Sequence, residues 1–330
     1  MALQDYKNVW ILAEVQRGKL SPTALELLTA GRKLADDLGE KLCAVLLGHN
    51  VRPFAQELID YGADIVYVCD DTQLENYIDD VYAKTLADMV KTYQPNKFLI
   101  PATNRGRALS AKTAVFVGTG LTADATDVTI NKEDGQLYAT RPTFGGNLMA
   151  TITCARTRPE MCSLRPMAYE KAKKQAGRTG EVIAVPFQRE KFTSAAQFIE
   201  FIKSNEGGLD LSEVDVIVAG GRGLGKAEGF ALLQKLADRL GGAVAASRAP
   251  VDSGWIDYRY QIGLTGRTVR PKIYIACGIS GQIQHTAGMS GSDVIIAINK
   301  DPNAPLMKTA HYAVEGDLYE VIPAMLEALH

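Results

Sequence analysis

The stretch VDVIVAGGRGLGKAEGF, residues 214–230, decides the fold of the second half of the chain. Residues 214–219 are almost wholly apolar and rich in valine and isoleucine, which predicts a strand buried on both faces. Glycines at 220, 221, 223 and 225 then turn the chain into a predicted helix at 230–240. A buried strand that passes through glycines into a helix opens a βαβ unit, hence a parallel sheet. The same alternation continues: strands are expected at 243–246, 272–276 and 294–298, and helices near 282–289 and 318–329.

The glycine-rich turn resembles two phosphate-binding motifs and fails both on a physical point. Gly220-x-x-x-x-Gly225-Lys226 has P-loop spacing, but Ala227 stands where a hydroxyl must hold Mg²⁺. Gly221-x-Gly223 opens a dinucleotide fingerprint, but Lys226 occupies the third glycine position. The next strand ends in Ser247-Arg248 rather than in the acid that binds the ribose of NAD, although an arginine there suits a 2′-phosphate. A tight turn with no ligand stays open as the plainer reading.

Towards the N-terminus the chain alternates in the same way. Strands are expected at 9–15, 42–47, 65–68 and 98–100, with helices near 52–61, 77–93 and 107–117. Ser21-Pro22 reads as an N-cap and first helical residue, and Gly39 as the stop after Leu38. Beyond Gly120 the segments 122–130, 136–140, 148–154 and 181–185 are short and β-branched. They are expected to extend the first sheet, some of them antiparallel. The polar segment 188–211 carries one short helical piece, 195–202, and reads as a linker. The expected division is an N-terminal α/β domain 1–190, a linker 191–211 and a second domain 212–330. At roughly 150 residues per domain, 330 residues agree with two domains.

Composition narrows the function. Thirty-eight acids against 36 Lys plus Arg give a net charge of −2, which argues against nucleic acid held by bulk positive charge. No apolar run approaches the ~20 residues of a membrane span. The start MALQDYKNVW lacks the pattern of a secretory signal, and five scattered cysteines without CxxC suit a reducing compartment, so a cytoplasmic protein is expected. Four histidines and no CxxC leave a zinc site unsupported; HExxH and GxSxG are absent.

Polar, ligand-capable residues fall just after the expected strands of the second domain, the edge where open α/β sheets bind ligands. Ser247-Arg248 follows one strand, GISGQIQHTAGM (278–289) another and Asn299 a third; QIGLTGRTV (261–269) forms a further glycine-containing turn. Asp317 in EGDLYEV can cap the last helix. Each has a plain alternative: Asp317 as a simple N-cap, His285 as a satisfied histidine, Arg248 as a surface ion-pair partner, Asn299 as a turn residue. Convergence on one crevice favours a large, phosphate-bearing cofactor.

These runs, in order and spacing, closely resemble the alpha subunit of electron-transfer flavoproteins. The resemblance extends into the first domain through LTADATD (121–127), TRPTFGGNLMATI (140–152) and RPEMCSLRP (158–166). It implies an α/β protein of two doubly wound domains, the C-terminal one a dinucleotide-fold-like FAD-binding domain, and a beta subunit that completes a heterodimer. It assigns FAD contacts to Arg222, Gly223, Ser247, Arg248, Gln261, Ile262, Gly263, Leu264 and Thr265. The same holds for Ser280, Gly281, Gln282, Ile283, Gln284, His285, Asn299, Asp317 and Leu318. Arg248, Thr265 and His285 would tune the flavin: Arg248 beside the isoalloxazine, the Thr265 hydroxyl at N5, His285 at the pyrimidine carbonyl edge. Positive charge and donors there favour the negative charge that develops on the ring.

In many members a glutamine stands where this chain has Leu264, and a leucine cannot donate a hydrogen bond. QDYKNVWILAE and NLMATI are similar to anaerobic members partnered with butyryl-CoA-type acyl-CoA dehydrogenases. Such members carry a second FAD in the beta subunit and oxidise NADH with electron bifurcation. The implied function is a one-electron relay between a dehydrogenase and another redox partner. Two alternatives remain: a stand-alone NADP(H)-dependent oxidoreductase using Arg248, and a regulatory module that binds an adenine nucleotide in the first domain.

Overall fold

A computed structural model describes residues 5–16, 18–143, 148–200, 211 and 214–329. The chain divides into two compact units, Met1–Phe201 and Ile202–His330.

In the first unit, β1 (Val9–Ala13) leads through a small hairpin, β2 (Val15–Gln16) and β3 (Lys19–Leu20), into α1 (Pro22–Leu38). Ser21 occupies the N-cap position, but its hydroxyl meets Thr23 Oγ1 at 2.8 Å instead of a backbone N–H. Gly39 ends α1 at φ 66°, a left-handed conformation that favours glycine. There follow β4 (Leu42–Gly48), α2 (Phe54–Asp60), β5 (Ile65–Asp70), α3 (Asp79–Tyr93), β6 (Lys97–Pro101) and α4 (Asn104–Val117). Thr103 caps α4 by accepting from Gly106 N at 2.9 Å, so this helix begins three residues before its expected start at 107. The unit is completed by β7 (Leu121–Ala125), β8 (Asp127–Ile130), β9 (Leu137–Thr143), β10 (Leu148–Ile152), β11 (Glu160–Leu164) and β12 (Glu181–Ala184).

The main sheet has the order β12-β5-β4-β1-β6-β11-β7 with every pairing parallel. Its two faces carry separate apolar clusters, one with Leu28, Leu34 and Leu46, the other with Trp10, Phe98 and Leu86. The expectation for the segments after Gly120 holds in part and is corrected in one respect. β7 and β12 extend the sheet, both in parallel, whereas β8, β9 and β10 leave it and form their own antiparallel sheet. The departure occurs where Asp124 takes φ 58° and Thr126 N turns to donate to Thr140 O, handing the chain from one sheet to the other. Strand β11 went unread because it begins with a glutamate and contains no β-branched residue.

Within the expected linker, Lys191–Ser194 is fastened to the first unit. Lys191 pairs with Asp88, Lys84 Nζ donates to Thr193 O at 2.6 Å, and Ser194 Oγ donates to Asp80 at 3.2 Å. The expected helix at 195–202 does not form over 195–200; residues 201–202 lie outside the described part.

The second unit runs β13 (Val216–Gly220), α5 (Gly229–Arg239), β14 (Ala243–Ala246), α6 (Arg248–Asp252), β15 (Ile273–Cys277) and α7 (Ile283–Thr286). It ends with β16 (Val294–Asn299), α8 (Pro305–Thr309), β17 (Tyr312–Glu315) and α9 (Leu318–Ala328). The sheet order is β14-β13-β15-β16-β17, all parallel. This is a doubly wound sheet, apolar clusters covering both faces. From β13 the chain winds first to β14, then crosses back to β15 on the other side. The helix expected over 282–289 is a single turn, because Ala287–Gly291 continue as turns. Among the described residues no helix is long and apolar enough to cross a membrane.

Candidate functional site

The strand order of the second unit reverses between β13 and β15. At such a point two loops diverge beyond the carboxyl ends of adjacent strands and leave a crevice. A cleft of about 1070 Å³ opens there. Arg222 and Gly223 enter it after β13, Ser247 and Arg248 after β14, and Asn299 at the end of β16. Ser280, Gly281, Gln282, Gln284 and His285 line it after β15, and Gln261, Ile262, Gly263 and Thr265 from the segment before that strand. Residues separated by nearly 80 positions thus meet because parallel strands all end on one edge.

Four of the sequence-derived candidates do not line the cleft. Leu264 is 42% exposed, and Ile283 lies within α7. Leu318 is buried at the start of α9. Asp317 caps α9 by accepting from Tyr319 N at 2.9 Å and pairs with Lys300 at 2.8 Å. The Lys300 ammonium, aided by that N–H, holds the Asp317 carboxyl below the usual carboxylate range. Sequence reasoning missed Asp252, which joins the lining and pairs with Arg248 Nε at 3.0 Å. The signal was present in the i,i+4 spacing on one helical turn. It also missed Gly278 and Asp301.

The glycine-rich turn owes much of its composition to packing. A Cβ on Gly221 would lie 2.2 Å from Gly278 O, and one on Gly223 2.7 Å from Gly278 Cα. The turn after β13 therefore crosses the turn after β15 backbone to backbone. Helix α5 starts only at Gly229, so its N-terminus does not follow the glycines directly.

The strap 261–265 is the most constrained wall of the cleft. Gly263 has φ 143° and would place a Cβ 2.7 Å from Gln284 O; Leu264 N donates to that same carbonyl at 2.7 Å. Gln261 is 3% exposed, and its Nε2 donates to Thr265 Oγ1 at 3.0 Å.

His285 stands behind the strap, 6% exposed. Its Nδ1 lies 3.1 Å from Ile262 O and its Nε2 3.0 Å from the Tyr274 hydroxyl. A carbonyl only accepts, so Nδ1 carries the proton and Nε2 accepts from Tyr274. Burial pushes His285 down to about 4, against the opposing pull of the Ile262 carbonyl. The ring is neutral with both nitrogens engaged inside the protein. The expected contact between His285 and a flavin carbonyl therefore meets a ring with no donor to spare. Asn299 likewise braces its own turns, donating to Ile279 O at 3.2 Å and accepting from Asp301 N at 3.1 Å.

The cations face outward. Arg248 is 68% and Asp252 60% exposed in their side chains, so this ion pair is weak and leaves the guanidinium available. Arg222 has no carboxylate within ion-pair reach among the described residues. Two arginines, several hydroxyl and amide donors and bare glycine backbone suit a long, anionic, hydrogen-bonding ligand.

Comparison with known proteins gives the family of both units. Residues 9–189 match the family described as "Electron transfer flavoprotein domain", and residues 210–290 the one described as "Electron transfer flavoprotein FAD-binding domain". The chain is 48% identical over 327 residues to the electron transfer flavoprotein subunit alpha of Thermoanaerobacterium thermosaccharolyticum, covering 99% of each. It is 47% identical to the corresponding subunit of Megasphaera elsdenii, over 100% of this chain and 98% of that one. It is 42% identical to the acryloyl-CoA reductase electron transfer subunit beta of Anaerotignum propionicum, over 99% of this chain and 96% of that one. Both units fall within these matches, and the chain belongs to the electron-transfer flavoprotein alpha-subunit family, whose flavin chemistry is electron transfer.

Proposed function

We propose that the chain is the FAD-holding subunit of a heterodimer with an electron-transfer flavoprotein beta subunit. In this reading it relays single electrons between an acyl-CoA dehydrogenase of the butyryl-CoA type and a second redox partner in the cytoplasm. The observation that carries the reading is the large cleft at the reversal of strand order, lined by Arg222 and Arg248 and by donors, without a buried carboxylate to repel an anion. Arg222, Gly223, Ser280 and Gly281 would hold the pyrophosphate. Ser247, Arg248, Thr265 and Gln284 would hold the ring and ribityl chain. When bound, FAD supplies the one-electron chemistry. Arg248 contributes positive charge at the cleft wall, and Asp252 limits how much of it the ligand experiences. The strap 261–265, fixed to Gln284 O and His285, keeps the wall rigid, so that little reorganisation accompanies a change of charge.

A stand-alone NADP(H) enzyme fits less well, because both units match electron-transfer flavoprotein families and subunits. The name of the Anaerotignum relative, an electron transfer subunit of an acryloyl-CoA reductase, supports an acyl-CoA partner. Bifurcation with NADH is the extension that the resemblance to anaerobic members favours. The connection between the units would lie within 191–211; the contacts of Lys191, Thr193 and Ser194 with the N-terminal unit support its starting there.

The test is to purify the heterodimer and count its flavins after denaturation. FAD released from the complex is expected; two per heterodimer accord with bifurcation, one together with AMP with a plain carrier. A colourless heterodimer that takes up no added FAD overturns the reading.

A further inference from the structure

We propose that Gln261 is a positioning residue that aims the hydroxyl proton of Thr265 into the cleft, so that Thr265 donates to a ring-nitrogen acceptor of the bound flavin. The assignment rests on the FAD reading above. Gln261 is buried, and its backbone is fully committed: its N donates to Tyr258 O at 2.9 Å and its O accepts from Arg267 N at 2.7 Å. A bridge to Ala246 ties it to the end of β14. Only its side chain is left to act, and that amide donates to Thr265 Oγ1 at 3.0 Å. An amide N–H cannot accept, so the Thr265 oxygen is the acceptor and its own proton must point elsewhere. Thr265 is exposed and lines the cleft, and among the described residues no protein acceptor stands opposite that proton. Its backbone is held as well, since the Tyr258 hydroxyl donates to Thr265 O. A hydroxyl held by its oxygen at one side and its main chain at the other presents a donor in one direction before any ligand arrives.

The experiment compares the affinity of FAD with that of 5-deaza-FAD, in which a C–H replaces ring N5, using the flavin-stripped heterodimer and calorimetry. Wild type should bind FAD roughly fivefold more tightly, the worth of one neutral hydrogen bond. Thr265→Val should abolish that discrimination. Gln261→Met should lose most of it although Thr265 is intact, and Gln261→Met with Thr265→Val should lose no more than Thr265→Val alone. Gln261→Glu keeps the shape of the side chain but turns the donor into an acceptor, which claims the Thr265 proton; discrimination should vanish there too. Full discrimination retained in either Gln261 variant overturns the assignment and leaves the FAD reading intact. Loss of all flavin binding in both variants at an unchanged melting temperature also overturns it, because Gln261 would then build the cleft rather than aim a hydroxyl. Failure of wild type to bind either flavin defeats the FAD reading itself.

Discussion

Two polar clusters in this molecule differ in what their charges face. In the first unit Lys97 and Glu160 are 0% and 1% exposed and lie side by side on the paired strands β6 and β11, 3.0 Å apart. Lys97 Nζ also donates to Gly135 O at 2.8 Å, Glu160 accepts from Leu137 N at 2.5 Å, and Arg158 approaches Glu160 at 2.8 Å. Lys97 and Glu160 answer each other's charge, Arg158 meets Glu160 Oε1 as an ion pair without a hydrogen bond, and the cluster pins the β8–β9 hairpin to the main sheet. In the second unit the charges stand at the sheet's carboxyl edge, and Arg248 is answered only by a weak, solvated pair. Both units are doubly wound. What separates a structural cluster from a binding site is therefore not the fold but whether the charges are buried and paired from within.

The sharpest way to break this comparison is to remove Glu160. Glu160→Ala leaves Lys97, already held below the usual lysine range by burial, without its counter-charge; a loss of about 3–5 kcal/mol is expected in denaturant unfolding. Adding Lys97→Met should recover most of it. If Glu160→Ala costs less than about 1 kcal/mol, the cluster is not the closed structural unit described.

Acidification probes the polar residue that the cleft shares with the structural class. His285 ionises at its ordinary 6.5 when unfolded and at about 4 when folded. Between those values the unfolded chain binds more protons, so stability is full above 6.5 and declines as pH falls towards 4. At ~1.36 kcal/mol per unit the loss amounts to about 3 kcal/mol. The unfolding midpoint of the second unit, followed against pH, should show this slope, and His285→Gln should flatten it. A slope unchanged in His285→Gln would return His285 to the open, ligand-facing class.

Smaller effects test the open cluster alone. Gly263→Ala must force a Cβ to within 2.7 Å of Gln284 O and should weaken FAD binding by roughly tenfold or more, while leaving the fold of the first unit unaltered. Arg248→Ala should weaken it by about tenfold, with a loss of salt dependence. Leu264→Gln should change affinity by less than about twofold, because the side chain lies outside the cleft lining. Calorimetric titration ranks the three; an effect of Leu264→Gln as large as that of Arg248→Ala would mean that the wall extends further than the lining residues.

The parallel order of both sheets was legible because buried parallel strands are apolar on both faces, as at 42–47 and 214–219. Most of the cleft was legible too, since its residues follow strand ends in sequence. Strand β11 was not, for its Glu160 is acceptable in a core only beside Lys97, a partner 63 positions away that local periodicity cannot reveal. The antiparallel excursion β8–β10 was misplaced for a similar reason: alternation identifies strands but not their neighbours.

By itself the chain's linear order determined its class, the glycine turn, and which polar residues fall at one edge of a sheet, because these depend on local periodicity and on the geometry of strand ends. Tertiary structure decided which of those residues remain available to a ligand. Gly221 and Gly223 serve a backbone crossing with Gly278, His285 is locked between Ile262 and Tyr274, and Asp317 is occupied by Lys300. Hydrogen-bond satisfaction is a property of neighbours in space, and only the folded chain brings those neighbours together.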